Sequence, residues 1–210
     1  SREAQLPDPS AVLSAAERLG RVAQLGRAVR RRAASDLVRS PETTIFVNLH
    51  PDELLDEQLY DPASPLAERA RSVVLEITER ERLELIDDLP RRVATLRRLG
   101  FRIAIDDMGA GYAGLSSFAR LQPEFAKIDM SLVRDIDQHA VRQRVVGTMA
   151  SLCRELGIAV IAEGVETEAE ATTLREIGCD LLQGFHLGRP GPGLRSTPHT
   201  RTNDAGPSQG

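Results

Sequence analysis

Residues 101–112 read Phe101-Arg-Ile-Ala-Ile-Asp-Asp-Met-Gly-Ala-Gly-Tyr112, and this stretch decides the fold. A continuous apolar run that ends in two aspartates and a glycine-containing turn predicts a buried strand with acidic groups at its carboxyl end. Taken alone, Asp106 and Asp107 are explained as a turn and helix-capping signal, because Asp and Gly are common at such positions. The rest of the chain favours a different interpretation, because the same pattern recurs.

Five more apolar segments end in an acidic or other polar side chain. The six predicted strands are Thr44–Leu49, Ser72–Ile77, Phe101–Asp106, Phe125–Ile128, Ile158–Ala162 and Asp180–Gln183. The polar residues at or near their ends are Asn48, Glu76, Asp106, Asp107, Lys127, Asp129, Glu163, Glu166 and Gln183. Helices are predicted before and between the strands, at Pro9–Gly20, Gln24–Arg39, Leu85–Leu99, Leu115–Leu121, Gln138–Leu156 and Glu168–Ile177.

Alternation of strands and helices at this spacing predicts right-handed βαβ units and a parallel sheet of the α/β class. The strands are continuous apolar runs, so both of their faces are expected to be covered. An open doubly wound sheet and a closed β/α barrel both satisfy this pattern. Polar side chains at the carboxyl ends of successive strands favour a metal site at the mouth of a barrel. A closed barrel of this type has eight strands, so the prediction is a TIM-like (β/α) barrel that lacks its first two strands.

Composition limits the class of protein. The chain has 210 residues, 41% hydrophobic and 3% aromatic, which is enough for one sizeable core of Leu, Ile, Val and Ala. A net charge of −4 gives no indication of a nucleic acid polymer or an anionic membrane as partner. Cys153 and Cys179 lack metal-ligand spacing and are expected to be buried and reduced, as in a cytoplasmic protein.

Segment boundaries follow from local composition. Residues 1–192 are predicted to form one domain, and residues 193–210, rich in Pro, Gly, Ser and Thr, are predicted to be a disordered tail. No apolar run approaches a membrane span and no signal peptide is visible. The basic cluster within Arg27–Arg32 is interpreted as a solvated helix face. The chain begins with Ser rather than Met, and we interpret it as a segment of a longer protein.

Five short motifs occur in a fixed order: Glu76-Ile-Thr-Glu79, Ile105-Asp-Asp-Met-Gly-Ala-Gly-Tyr112, Lys127-Ile-Asp129, Ala162-Glu-Gly-Val-Glu166 and Gln183-Gly184. In this order, from about Leu6 to Pro190, the chain resembles the EAL domain, the family of bacterial phosphodiesterases that linearise cyclic di-GMP. Met108 and Ala110 depart from the family's DDFGTGY-like loop, and His50 stands where its Asn-Leu-Ser pattern has serine. The Glu-Ala-Leu strand and the strand before it are absent.

The resemblance implies a site with two divalent cations, Mg²⁺ or Mn²⁺. The residues that match the family's metal ligands are Asn48, Glu76, Asp106, Asp107 and Glu163, with Asp106 as the bridging candidate. Lys127 matches the lysine that holds the attacking water, and Glu163 is also a candidate to take the proton from that water. The residues that match supporting positions around metal and substrate are Glu79, Asp129, Glu166 and Gln183. Glu79 matches the residue that pins the Asp107–Ser117 loop, and the implied product is linear pGpG.

Two hypotheses of different classes remain at this point. The first is a metal-dependent cyclic-di-GMP phosphodiesterase, which the resemblance implies is a bacterial cytoplasmic homodimer controlled by sensory or cyclase domains. The second is a catalytically degenerate EAL module that binds cyclic di-GMP or a protein partner without hydrolysis. Simpler interpretations also exist: Lys127 suits a solvated strand edge, and Glu166, Glu168 and Glu170 suit the acidic first turn of a helix.

Overall fold

A computed structural model of the chain describes residues 9–78, 83, 86–109 and 115–191. The predictions for Glu79 and for the tail at 193–210 lie outside these residues. The chain divides into two compact units. The first contains Ser1–Ala104 and Leu115–Gln122, and the second contains Ile105–Gly114 and Pro123–Gly210.

The described residues contain one six-stranded sheet with the strands in sequence order, β1-β2-β3-β4-β5-β6. The strands are β1 Ile45–Leu49, β2 Val73–Thr78, β3 Arg102–Met108, β4 Phe125–Ile128, β5 Ala159–Ala162 and β6 Leu181–Leu182. Pairing is parallel between β1 and β2 in the first unit, and between β4, β5 and β6 in the second. The α/β class and all six predicted strands are therefore confirmed, and no strand end differs from its prediction by more than two residues.

Seven α-helices lie in the described part of the chain. They are α1 Pro9–Arg18, α2 Val22–Arg39, α3 Leu89–Leu99, α4 Leu115–Leu121, α5 Met130–Val133, α6 Ala140–Glu155 and α7 Glu168–Ile177. Helix α3 begins later than the predicted Leu85, because Asp88 has a positive φ of 57° and Pro90 takes a first-turn position that needs no N–H donor. The short helix α5 was not predicted, and it begins where the Asp129 side chain accepts a hydrogen bond from the Ser131 N–H. No described helix is both long and apolar enough to cross a bilayer.

In the first unit, β2 is the centre of the core. Val73, Val74, Leu75 and Ile77 are all fully buried, as expected for a strand covered on both faces. The interpretation of the arginine cluster as a solvated face was wrong for one member. Arg30 is buried and its guanidinium binds Glu53 and Asp56, which follow β1 in short 3₁₀ turns. Sequence periodicity cannot reveal this, because the partners are more than twenty residues away.

In the second unit, helices α6 and α7 contact each other, and α6 also contacts β5. Cys153 and Cys179 are free and buried. Burial raises the pKa of the Cys153 thiol to about 11 and that of Cys179 to about 12, so both stay protonated and unreactive near neutral pH. The prediction of reduced, buried cysteines is confirmed.

Candidate metal centre

Three carboxylates of the second unit form a cluster at the ends of β3 and β5. Asp106, Asp107 and Glu163 each offer an oxygen atom within 4.8 Å of the others. Asp107 has a positive φ of 62°, a left-handed conformation that aspartate tolerates better than most residues, and its N–H donates to Asp106 Oδ1 at 3.0 Å. This conformation in the last residues of β3 therefore brings two consecutive carboxylates to the same place, whereas a regular extended strand would point them to opposite faces.

Lys127 lies beside this cluster. Its Nζ is 2.7 Å from Glu163 Oε1 and 3.1 Å from Asp106 Oδ1, and the residue is only 4% exposed. The interpretation of Lys127 as a solvated edge residue is therefore wrong. It is also the single lysine of the 210 residues, among 27 Lys and Arg in total. A buried ammonium between two carboxylates can donate hydrogen bonds while its four-carbon stem packs in the strand layer.

Backbone hydrogen bonds keep the ends of three strands together beyond the regular ladder. Asp129 N–H donates to Met108 O at 3.0 Å, which joins the end of β4 to β3. Glu163 N–H donates to Ile128 O at 3.1 Å, which joins the end of β5 to β4. The side chains of the cluster are therefore fixed by the sheet itself, and loop conformation alone does not decide their positions.

The donor set fits a hard divalent cation. The cluster carries three carboxylates against one ammonium, a formal charge of −2. Carboxylate oxygen is the ligand that Mg²⁺ and Mn²⁺ prefer in proteins. Like charges held this close repel one another, and a bound divalent cation removes the repulsion. The predicted ligands Asp106, Asp107 and Glu163 are thus brought together in one described cluster.

The other two predicted ligands lie in the first unit. Asn48 and Glu76 occupy paired positions of the parallel β1–β2 register, and Glu76 is buried. Their side chains stand at the carboxyl ends of neighbouring strands, where the sequence pattern placed them. Their role as metal ligands stays a prediction.

Three of the predicted supporting residues can be placed. Asp129 caps α5, with Oδ1 accepting from Ser131 N–H at 2.9 Å. Glu166 accepts from Arg134 at 2.6 Å, and this hydrogen bond lowers the pKa of the Glu166 carboxyl. The backbone of Gln183 donates to Ala162 O at 2.8 Å and accepts from Val165 N–H at 3.0 Å, so it holds the segment that follows β5.

Sequence reasoning missed Glu170 and Arg134. Glu170 does belong to the acidic first turn of α7, as the sequence indicated, but it is 1% exposed and its carboxylate accepts three backbone hydrogen bonds. The spacing Thr167-x-x-Glu170 is a capping-box signature that indicates part of this arrangement. No sequence pattern indicates the hydrogen bond from the Asp135 N–H to Glu170, because the two residues are 35 positions apart.

A parallel α/β fold with this carboxylate cluster at its strand ends defines a β/α protein with a candidate divalent-metal site. The family model described as "EAL domain" matches residues 1–190, so the chain belongs to the EAL domain family. EAL domains are TIM-like barrels, which confirms the predicted fold class. In the strand order of the described residues, β1 and β6 stand at the two ends.

Relatives and solved structures agree with this assignment. The chain is 35% identical over 150 residues to the probable cyclic di-GMP phosphodiesterase PdeA of Escherichia coli, covering 70% of this chain and 21% of PdeA. The manganese and cyclic-di-GMP complex of Klebsiella pneumoniae BlrP1 is similar, with a TM-score of 0.76, 33% identity and coverage of 87% of this chain and 48% of that chain. A standalone EAL protein of Vibrio cholerae in its c-di-GMP-bound form gives a TM-score of 0.69, 30% identity and coverage of 80% and 73%. The chain thus spans about a fifth of PdeA and half of BlrP1.

Proposed function

We propose that this chain is the metal-binding part of a phosphodiesterase that hydrolyses cyclic di-GMP to linear pGpG. The observation that carries the proposal is the cluster of Asp106, Asp107 and Glu163 around the buried Lys127. Relatives named as cyclic di-GMP phosphodiesterases and the BlrP1 complex with manganese and cyclic di-GMP support the same substrate and the same kind of metal. The degenerate binding module is not favoured, because these charged residues are retained.

Asp106, Asp107 and Glu163 would hold the divalent cations, and Asn48 and Glu76 are proposed as further ligands. Bound Mg²⁺ or Mn²⁺ supplies positive charge for the phosphodiester and lowers the pKa of coordinated water. The remaining chemistry belongs to side chains of this protein.

Lys127 is proposed to orient the attacking water and to add positive charge beside the phosphate as negative charge develops there. Glu163, whose Oε1 lies 2.7 Å from Lys127 Nζ, is proposed to accept the proton that the water loses. The water oxygen forms a bond to phosphorus, the bond from phosphorus to the ribose 3′-oxygen breaks, and that oxygen is protonated. One phosphodiester of the cycle is opened and the other remains, which gives pGpG.

Several broader features belong to the same proposal. A cytoplasmic location fits a domain that acts on a second messenger. The greater length of the curated relatives supports additional sensory or cyclase domains. A homodimer and the supporting roles of Glu79, Asp129, Glu166 and Gln183 are proposed from the family resemblance alone.

The test is turnover of cyclic di-GMP with Mg²⁺ or Mn²⁺, measured by formation of pGpG. Two forms are compared: these 210 residues and a form extended upstream through two more strands. Manganese-dependent pGpG formation by the extended form supports the proposal. Binding of cyclic di-GMP without hydrolysis in both forms would contradict it and would identify a receptor.

A further inference from the structure

The Glu170 side chain joins two segments that leave the candidate metal centre. Its Oε1 accepts the N–H of Asp135 at 2.9 Å, and its Oε2 accepts the N–H groups of Glu166 at 2.7 Å and Thr167 at 3.1 Å. Asp135 lies in the segment that follows Lys127 on β4. Glu166 and Thr167 lie in the segment that follows Glu163 at the end of β5. One buried carboxylate therefore connects the two strand ends that bring Lys127 and Glu163 together.

In both segments that Glu170 connects, one residue has a positive φ. Asp135 has a positive φ of 53°, an uncommon conformation for a residue other than glycine, and this conformation occurs where its N–H meets Glu170. Gly164, with φ of 71°, brings the other segment so close to Met130 that a Cβ would lie 2.6 Å from the Met130 Cβ. Close packing and an uncommon backbone conformation persist only where the surroundings determine them.

A second contact links the same two segments at the surface. Arg134, next to Asp135, forms an ion pair with both carboxylate oxygens of Glu166. The hydrogen bonds to Glu170 are charge-assisted and buried, and such bonds are stronger than exposed ion pairs. Burial alone would raise the pKa of Glu170, but the three N–H donors outweigh it and lower the pKa, so the side chain stays an acceptor.

We propose that Glu170 is a positioning residue for the metal centre. Its carboxylate fixes the segment after β4 against the segment after β5 and so sets the separation of Lys127 Nζ and Glu163 Oε1. The kinetic consequence of this proposal rests on the proposed function, whereas the structural consequence does not. Outer-shell partners of metal ligands typically change metal affinity or activity by about 10- to 100-fold when they are removed, and we expect an effect at the lower end of this range for Glu170, which acts through the backbone.

The experiment compares Glu170→Ala and Glu170→Gln with the matched control Glu168→Ala in the form of the protein used for turnover. Glu168 stands in the same first helical turn, but it is exposed and pairs with His186 and Arg175. Because Lys127 is the single lysine of these residues, its modification by an amine-selective acylating reagent can be followed by mass spectrometry without using activity.

In Glu170→Ala we expect Lys127 to react about 10-fold faster and kcat to fall by about 10-fold or more, with KM changed less than twofold. Glu170→Gln keeps one acceptor oxygen, so both values are expected between those of wild type and Glu170→Ala. Glu168→Ala is expected to match wild type in both measurements. A role in helix stability alone would not raise Lys127 reactivity in a folded variant at unchanged KM.

Wild-type Lys127 reactivity in Glu170→Ala would overturn the proposal, as would an equal effect of Glu168→Ala. If Glu170→Ala does not fold, Glu170→Gln decides: an intermediate reactivity supports the proposal and a wild-type value overturns it. Failure of the wild-type protein to hydrolyse cyclic di-GMP would contradict the proposed function, and the reactivity of Lys127 would still decide the role of Glu170.

Discussion

Each of the two units contains a cluster of buried or half-buried ionic groups, and the two clusters differ in charge balance. In the first unit, Arg27 and Arg30 meet Asp56 and Glu53, two cations against two anions. In the second, one ammonium on Lys127 meets three carboxylates. A balanced, fully hydrogen-bonded cluster is a structural element. An unbalanced cluster with excess carboxylate is an arrangement that a divalent cation completes.

The geometry of the balanced cluster supports this distinction. The Asp56 carboxylate accepts hydrogen bonds from Arg27 Nε at 3.0 Å and Arg27 Nη2 at 2.7 Å, one on each oxygen, and a third from Arg30 Nη2 at 2.7 Å. Glu53 binds Arg30 and also accepts the His50 N–H at 3.1 Å. A Cβ at Gly26 would overlap the Glu53 carboxylate, so any larger residue there would displace Glu53 from its present position in the cluster. Every charge has an opposite partner within the protein, so the cluster needs no added ion.

The largest expected effect is loss of catalysis when the charged residues of the proposed site are removed. Asp106→Ala and Lys127→Ala in the unbalanced cluster are expected to lower kcat for cyclic di-GMP by about 100-fold or more, because each removes charge that the proposed function assigns to the transition state or to a cation. Glu76→Ala, at the proposed ligand of the first unit, is expected to lower kcat to a similar extent. The measurement is pGpG formation at saturating Mn²⁺. Wild-type turnover in any of the three would contradict the assigned site, and a change in KM alone would contradict the role of Lys127.

Next in size is loss of stability from the balanced cluster. Asp56→Ala is expected to lower the free energy of unfolding by about 3 kcal/mol. The reason is that the variant leaves the buried Arg30 and the neighbouring Arg27 with only one carboxylate, that of Glu53, between two positive charges. Chemical denaturation measures this difference. The control is Asp36→Ala, which breaks the exposed Arg32–Asp36 pair and is expected to cost about 0.5 kcal/mol. An equal loss of unfolding free energy in Asp56→Ala and Asp36→Ala would show that the balanced cluster stabilises the fold no more than an exposed ion pair does.

The effect of Mn²⁺ on the free energy of unfolding is expected to depend on the carboxylates of the unbalanced cluster and not on those of the balanced cluster. Mn²⁺ at about 100 times its Kd is expected to raise the free energy of unfolding by about 2.7 kcal/mol in wild type. Asp107→Asn is expected to abolish this increase, whereas Asp56→Ala is expected to retain it. The same increase in Asp107→Asn would place the binding of the cation elsewhere in the chain.

The smallest expected effect is a change in the stability contribution of Asp56 at acidic pH. The hydrogen bond from Arg27 lowers the pKa of Asp56, so its ionised form stabilises the fold at pH values above its unfolded pKa, which is about 3.9. This contribution is lost as pH falls through the lower pKa of the folded state. The difference in stability between wild type and Asp56→Asn is therefore expected to be constant at neutral pH and to shrink below about pH 4. If the stability difference between wild type and Asp56→Asn grew in acid, the conclusion that folding lowers the pKa of Asp56 would be contradicted.

Local patterns in the sequence are sufficient for much of this architecture. The apolar run Val73–Ile77 and the helix ends at Leu99 and Ile177 depend on neighbours in the chain, and these predictions are confirmed. Both helices are followed by a glycine in the left-handed conformation, Gly100 and Gly178. The late start of α3 and the added helix α5 were missed, because a positive φ at Asp88 and the cap by Asp129 are decided by individual side chains. Boundaries depend on such details more than strand or helix identity does.

The sequence by itself determined the α/β class, the order of strands and the family, because hydrophobic period and ordered motifs are properties of the linear chain. It also determined which acidic residues stand at strand ends, since parallel strands bring their carboxyl ends to one edge. Only the tertiary structure decided the partners of these charges. That Arg30 is buried with Asp56, that Lys127 lies between Asp106 and Glu163, and that Glu170 holds Asp135 all depend on distances between residues far apart in sequence.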